Sequence, residues 1–229
     1  MNHERVPAAT PAGAGEAWSI DADAPLQAVL DSPGCPPLLR QMLTGAIPWQ
    51  IRNEKLVRRA LTSPRVAPQW VAALLALGAT VTVEGESGRT DVPLEALLQR
   101  RAEGKVSALH VRTGGVRWGE AHIARTPADE PIVSAVAGVE LDDGAVRQAR
   151  VALTGVWPEP VRLAEAPSQL TGGPLDEGRI RAVAEAVEKE VAPKGDFQGS
   201  EEYRRAMAGV LTCRALKGCL RQEQEEGNE

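Results

Sequence analysis

The sequence predicts an α+β fold, and three observations predict it. After Pro131 the chain reads as a strand meander: IVSAVAGVEL and AVRQARVALTGV are apolar, β-branched runs joined by the hairpin signal Asp142-Asp143-Gly144. Two amphipathic helical patterns follow. Ile180, Val183, Ala184 and Val187 share one face of the first, and Tyr203, Met207, Val210, Leu211 and Leu216 share one face of the second. Ahead of the meander, short helical and strand patterns are mixed along the chain.

Residues 1–24 are rich in Ala, Pro and Gly without periodicity and read as a flexible tail. Gly13-Ala14-Gly15 follows no predicted strand, so no phosphate-cradling role is assigned to it. PLQAVLDS and PPLLRQMLTGAI read as two short helices, the second entered through Pro36 and Pro37. Residues 51–62 fit neither period. PQWVAALLAL reads as a helix stopped by Gly78. Residues 79–84 alternate as a strand does, GESG turns the chain, and RTDVPL enters another strand. A short helix over 94–102 leads to a strand over 105–112, with Val106, Ala108 and His110 on one face and Leu109 and Val111 opposite. Gly114-Gly115 turns the chain into a strand or extended segment over 116–125. In the meander, EPVRLAEAPSQLTG begins as a third strand and ends as a short helix. Of the two long helices, over 176–191 and 200–220, the second starts at Ser200 with Glu201 and Glu202 in its first turn. The expected organisation is a tail over 1–24, a mixed unit over 25–128, and a three-stranded antiparallel sheet with a helical layer over 129–220. RQEQEEGNE, over 221–229, is a charged, frayed tail.

The composition fits a soluble globular chain with real cores: 229 residues, 43% hydrophobic and 25% charged. Aromatics are scarce, at 3%, so aliphatic side chains and alanine must fill the interior. A net charge of −5 argues against nucleic acid as the main partner, because phosphate binding wants a basic face. Three cysteines, Cys35, Cys213 and Cys219, suit a reducing compartment and cannot supply the four thiolates of an iron–sulfur cluster. With no signal-peptide pattern and no apolar run long enough to span a bilayer, the expected location is the cytoplasm, without membrane contact.

Four segments carry a specific resemblance. They are IRNEKLVRRALTSPRVAPQWVAALLAL from Ile51, HIARTPADEP from His122, PIVSAVAGVELDDGAVRQARVALTGVWPEPVRLAEAPSQLTGGPLDEGRI from Pro131, and GSEEYRRAMAGVLTCRAL from Gly199. In this order they resemble the flavin-binding middle subunit of molybdenum hydroxylases, the family of carbon monoxide dehydrogenase and xanthine dehydrogenase. The resemblance implies the remnant of a second FAD-binding subdomain followed by a CO dehydrogenase flavoprotein C-terminal-like domain. The family's first, glycine-rich flavin subdomain is not visible in this sequence. It also implies partners: a large molybdenum-type subunit and a small iron–sulfur subunit, which carry the molybdenum cofactor and the clusters.

The flavin segment is altered. The family's motif runs Ile-Arg-Asn-x-x-Thr-Ile-Gly-Gly-Asn. Here its two glycines fall on Arg58 and Arg59, its asparagine on Ala60 and its threonine on Leu56. Glycines in such a turn let backbone N–H groups approach a pyrophosphate, whereas an arginine adds a Cβ and a long chain. The pair can attract an anion or serve as a solvated surface dipeptide. Asp129 takes the family's acidic position and reads as a turn-forming or interface residue. No flavin is therefore expected in this chain, and no metal site or catalytic set is recognisable; His110 and His122 lie on predicted strands where they could pair across a sheet. Trp49, Trp70, Trp118 and Trp157 stand out as core anchors or interface residues. Trp157, in the turn Gly-Val-Trp-Pro-Glu-Pro, is the candidate for partner contact. The resulting expectation is a non-catalytic, flavin-free structural subunit of a molybdenum hydroxylase-like complex. The alternatives are an FAD-binding electron-transfer subunit and a free-standing binding or regulatory module.

Overall fold

The computed structural model of the protein describes residues 17–86, 88–112, 114–126 and 129–226. His3, the glycines at 13–15 and the tail through Glu16 lie outside the described residues. The chain divides into two compact units. The first comprises residues up to Val66 together with Ala79–Gly114, and the second comprises Ala67–Gly78 and Gly115–Glu229.

In chain order the first unit begins with β1 (Ala17–Asp21), α1 (Leu26–Asp31), α2 (Pro37–Ala46), α3 (Trp49–Glu54) and α4 (Val57–Thr62). After a short 3-10 turn at Pro64–Val66 the chain leaves the unit as α5 (Pro68–Ala76). It returns as β2 (Thr80–Gly85), β3 (Gly88–Pro93), α6 (Leu94–Leu98) and β4 (Lys105–Arg112). The four strands form an antiparallel sheet in the order β1-β4-β2-β3.

The end of the expected flexible tail is thus a strand. Residues 17–21 pair along their whole length with β4, with Trp18 and Ile20 turned into the core. Trp18 also donates its indole N–H to Ser32 Oγ, 2.9 Å away. The alternation of two large apolar residues with small polar ones outweighs the Ala/Pro/Gly composition around it. In β4 a bulge between Thr82 and Val83 of the neighbouring strand shifts the register, so that Thr82 faces Ala108 while Val83 faces Val106. Strict alternation placed Val106 opposite Leu109. The bulge returns Val106, Leu109 and Val111 alike to the buried side. The ambiguous stretch over 51–62 resolves into two single-turn-and-a-half helices broken at Lys55-Leu56. There the backbone leaves the helix to pair with Pro25 and Leu26.

The second unit holds α5, then β5 (Val116–Ile123), β6 (Val133–Asp142), β7 (Ala145–Thr154), β8 (Val161–Leu163), a 3-10 segment at Ala166–Leu170, α7 (Glu177–Glu190) and α8 (Glu201–Glu226). Its sheet is a meander of four strands, β5-β6-β7-β8, not three. The extended segment after Gly114-Gly115 pairs with β6 residue by residue, from Val116–Glu140 to Ile123–Val133. The second unit therefore starts before the expected boundary at 128. The Asp143-Gly144 turn has positive φ at both residues, +46° and +76°, the primed geometry that a two-residue hairpin needs.

β6 explains why its sequence reads as a continuous apolar run: residues 133–140 are buried on both faces of the sheet. On one face Ala135, Ala137 and Val139 meet the apolar stripes of α7 and α8, including Ile180, Val183, Val187, Leu211 and Leu216. On the other face Gly138 meets the Ala76 carbonyl at the end of α5. Every residue of α5 is buried, as expected of a helix apolar all round. The two amphipathic helices are therefore only half of the cover, and the helix stopped by Gly78 (φ +67°) is the rest. α8 runs on to Glu226, into the expected charged tail.

Candidate functional site

The residues singled out in the flavin-like segment lie consecutively in α4, in the first unit. Val57 N donates to Ala24 O at 2.9 Å and Arg58 N to Ala22 O at 2.8 Å. Arg59 N donates to Leu56 O at 3.0 Å and Ala60 N to the same carbonyl at 3.3 Å. Each of the four backbone N–H groups in this stretch is thus already bonded within the protein. The acceptors at Ala22 and Ala24 come from the segment that the sequence assigned to the flexible tail. Ala60 is fully buried, while the Arg58 and Arg59 side chains point outward.

The Arg58 guanidinium pairs with Asp23, Nε to Oδ1 at 2.6 Å, and Lys105 reaches the other oxygen of Asp23 at 3.2 Å. Lys55 pairs with Glu54. Arg59 has no ion-pair partner among the described residues. Glu54, Lys55, Arg58, Arg59 and Lys105 line an open groove of about 440 Å³, together with Leu56, Thr62, Gly104 and Val106.

Asp129 and Trp157 belong to the second unit. Asp129 is exposed and closes a turn on itself: its carboxylate accepts from Thr126 N at 3.1 Å, and its own N–H donates to Thr126 O at 3.1 Å. Trp157 is half-buried against the core of this unit, with the Arg162 guanidinium 5.2 Å over its ring. Among the other tryptophans, Trp70 is fully buried and Trp49 is exposed.

The histidines do not pair, because they sit in different sheets. His110 in β4 lies between Ser19 Oγ at 2.7 Å and Thr82 Oγ1 at 2.8 Å, and Thr82 donates onward to Asp91. His122 in β5 contacts Glu120. Burial pushes the Cys35 thiol up to about 11 and the Cys219 thiol up to about 12, so neither is a reactive thiolate. No group of three or more potential metal ligands occurs among the described residues. No described helix is long and apolar enough to cross a membrane.

Sequence reasoning missed two features of the second unit. One is Arg204, in the Tyr-Arg pair of the closing helix. Its buried guanidinium donates to Ile132 O at 2.8 Å and Gly155 O at 3.0 Å, and it grips both oxygens of Asp196 at 2.7 Å. The other is Phe197, next to that clamped aspartate and 86% exposed. An isolated aromatic in a Gly- and Pro-flanked loop carries no periodicity, so only its neighbours in space mark it.

Residues 121–219 match the CO dehydrogenase flavoprotein C-terminal domain, a span that runs from β5 into α8. The chain is 25% identical over 173 residues to the nicotine 6-hydroxylase medium subunit of Paenarthrobacter nicotinovorans, covering 73% of this chain and 61% of that one. It is 24% identical over 176 residues to the glyceraldehyde dehydrogenase medium chain of Sulfolobus acidocaldarius, covering 73% and 62%. The chain thus spans about three fifths of the length of these relatives. In fold it is similar to carbon monoxide dehydrogenase from Hydrogenophaga pseudoflava in the form lacking the Mo-pyranopterin moiety. The TM-score is 0.75 at 24% identity, over 91% of this chain and 77% of that one. The resemblance to molybdenum hydroxylase medium subunits drawn from the sequence is borne out, and so is the α+β fold with a CO dehydrogenase flavoprotein C-terminal domain.

Proposed function

We propose that the chain is a flavin-free structural subunit of a molybdenum hydroxylase-like oxidoreductase complex, without catalysis of its own. In this reading it joins a large molybdenum-type subunit to a small iron–sulfur subunit, and those partners hold the molybdenum cofactor and the clusters.

One observation carries the flavin-free part. A dinucleotide's pyrophosphate is held by unpaired backbone N–H groups in a glycine turn. Here the N–H groups of Val57, Arg58, Arg59 and Ala60 are spent on Ala24, Ala22 and Leu56. The corresponding backbone is helical, and two arginine side chains stand where the turn would need bare Cα atoms. The residues present do not fit a flavin dinucleotide. The structural part rests on the family resemblance of the second unit and on its exposed anchors, Phe197 above all.

Affinity capture of the full chain from a native extract tests the reading. The expected result is a complex containing molybdenum and iron, with flavin absent or below one per copy of this chain. A chain that captures no metal-bearing partner points to a free-standing module, and one flavin bound per copy of the chain restores the electron-transfer subunit.

A further inference from the structure

We propose that the groove beside α4 docks an acidic segment of a partner protein, a short run of Glu or Asp side chains laid across Lys55, Arg58, Arg59 and Lys105. This goes beyond a structural role in general and does not depend on which complex the chain joins.

The argument begins with charge. The chain as a whole is acidic, at −5, yet four cationic side chains, Lys55, Arg58, Arg59 and Lys105, line one groove against a single lining carboxylate, Glu54, with Asp23 beside it as an ion-pair partner. Asp23 is shared by Arg58 and Lys105, and Arg59 is left without a partner among the described residues. A local positive surplus on an acidic surface steers and selects anions.

The form of the groove then selects the kind of anion. It is open to solvent, and six of the nine residues lining it are polar or charged, so it does not enclose a small organic ligand. The backbone N–H groups that bind a compact phosphate are already bonded, so recognition falls to side chains alone. Guanidinium groups fork onto carboxylates through paired N–H donors, and several spaced cations match several spaced carboxylates. A nucleic-acid backbone asks for a wider basic face than this groove offers.

The test uses the full chain and a fluorescent hexaglutamate peptide, read by anisotropy. Binding is expected at low salt, falling steeply between about 0.02 M and about 0.5 M as screening sets in. Arg59→Glu, at an exposed position, is expected to weaken it by about tenfold, and Arg59→Glu with Lys105→Glu further still. Thermal unfolding of each variant confirms that it is folded, and Arg59→Lys is expected to retain most of the binding. No hexaglutamate binding at low salt overturns the proposal, as does binding that both charge reversals leave unchanged. Saturable binding of inorganic pyrophosphate, or of a single-stranded oligonucleotide, tighter than that of the peptide also overturns it, by assigning the groove to a phosphate ligand.

Discussion

At the scale of single residues, the two most informative side chains are arginines with opposite environments. Arg58 is exposed, and its consequence lies in its backbone, whose N–H is taken by Ala22. Arg204 is buried and acts through its guanidinium, which ties the Asp196 loop to the carbonyls of Ile132 and Gly155. The hydrogen bonds from Arg204, helped by those from the Gln198 and Gly199 backbone, hold the Asp196 carboxyl below the usual aspartate range. The folded protein therefore binds fewer protons at this site than the unfolded chain. The stability it contributes is complete above the unfolded value of about 3.9 and is lost as pH falls through the lowered folded value. Asp196→Asn is expected to flatten the fall in melting temperature over that acid window; an unchanged acid slope would remove Asp196 from the account. Arg204→Ala is expected to cost about 3 kcal/mol at neutral pH, since it strips donors from buried carbonyls. The substitution of the glycine pair by Arg58-Arg59 was legible in the sequence. The occupation of the N–H groups was not, because their acceptors at Ala22 and Ala24 sit in a stretch whose composition resembles a tail.

At the scale of elements, the sequence was most legible where periodicity was long and unbroken. The β6–β7 hairpin, α5 with its Gly78 stop, α7 with Asp176 as its N-cap, and the start of α8 at Ser200 stand where the pattern placed them. It was least legible where one residue changes the phase. The bulge at Thr82/Val83 reversed the facing of Val106, and the four-stranded count depended on a segment with weak alternation, VRWGEAHI. That segment belongs to the meander because α8 lies almost on its backbone. Gly119 Cα and Gly218 Cα face each other, and a Cβ on Gly119 would run into the Ala215 carbonyl. Gly119→Ala is expected to lower stability by about 2–3 kcal/mol, as overpacking against rigid backbone does. Gly144→Ala, where space is open and only φ is strained, is expected to cost about 1 kcal/mol. Urea denaturation of the two variants orders them, and equal losses would contradict a direct Gly119–Gly218 backbone contact between β5 and α8.

At the scale of the whole molecule, the account makes this chain a binding component whose surfaces carry its function. Trp157, the contact proposed from sequence, is partly buried against the core of the second unit, so its removal is expected to act on folding first. Trp157→Ala should lower stability by about 2–4 kcal/mol. Phe197→Ala, at a side chain that packs on little, should leave the unfolding free energy within about 0.5 kcal/mol of wild type and weaken partner capture instead. A Phe197 variant that captures partners as well as wild type would move the interface elsewhere. The central claim, that the chain holds no flavin, is tested most directly by titrating the purified protein with FAD and following flavin fluorescence. The account predicts no saturable binding at micromolar concentrations. It predicts the same for Arg58→Gly with Arg59→Gly, because the acceptors at Ala22, Ala24 and Leu56 remain in place. Saturation at one FAD per chain in the wild-type protein would contradict it.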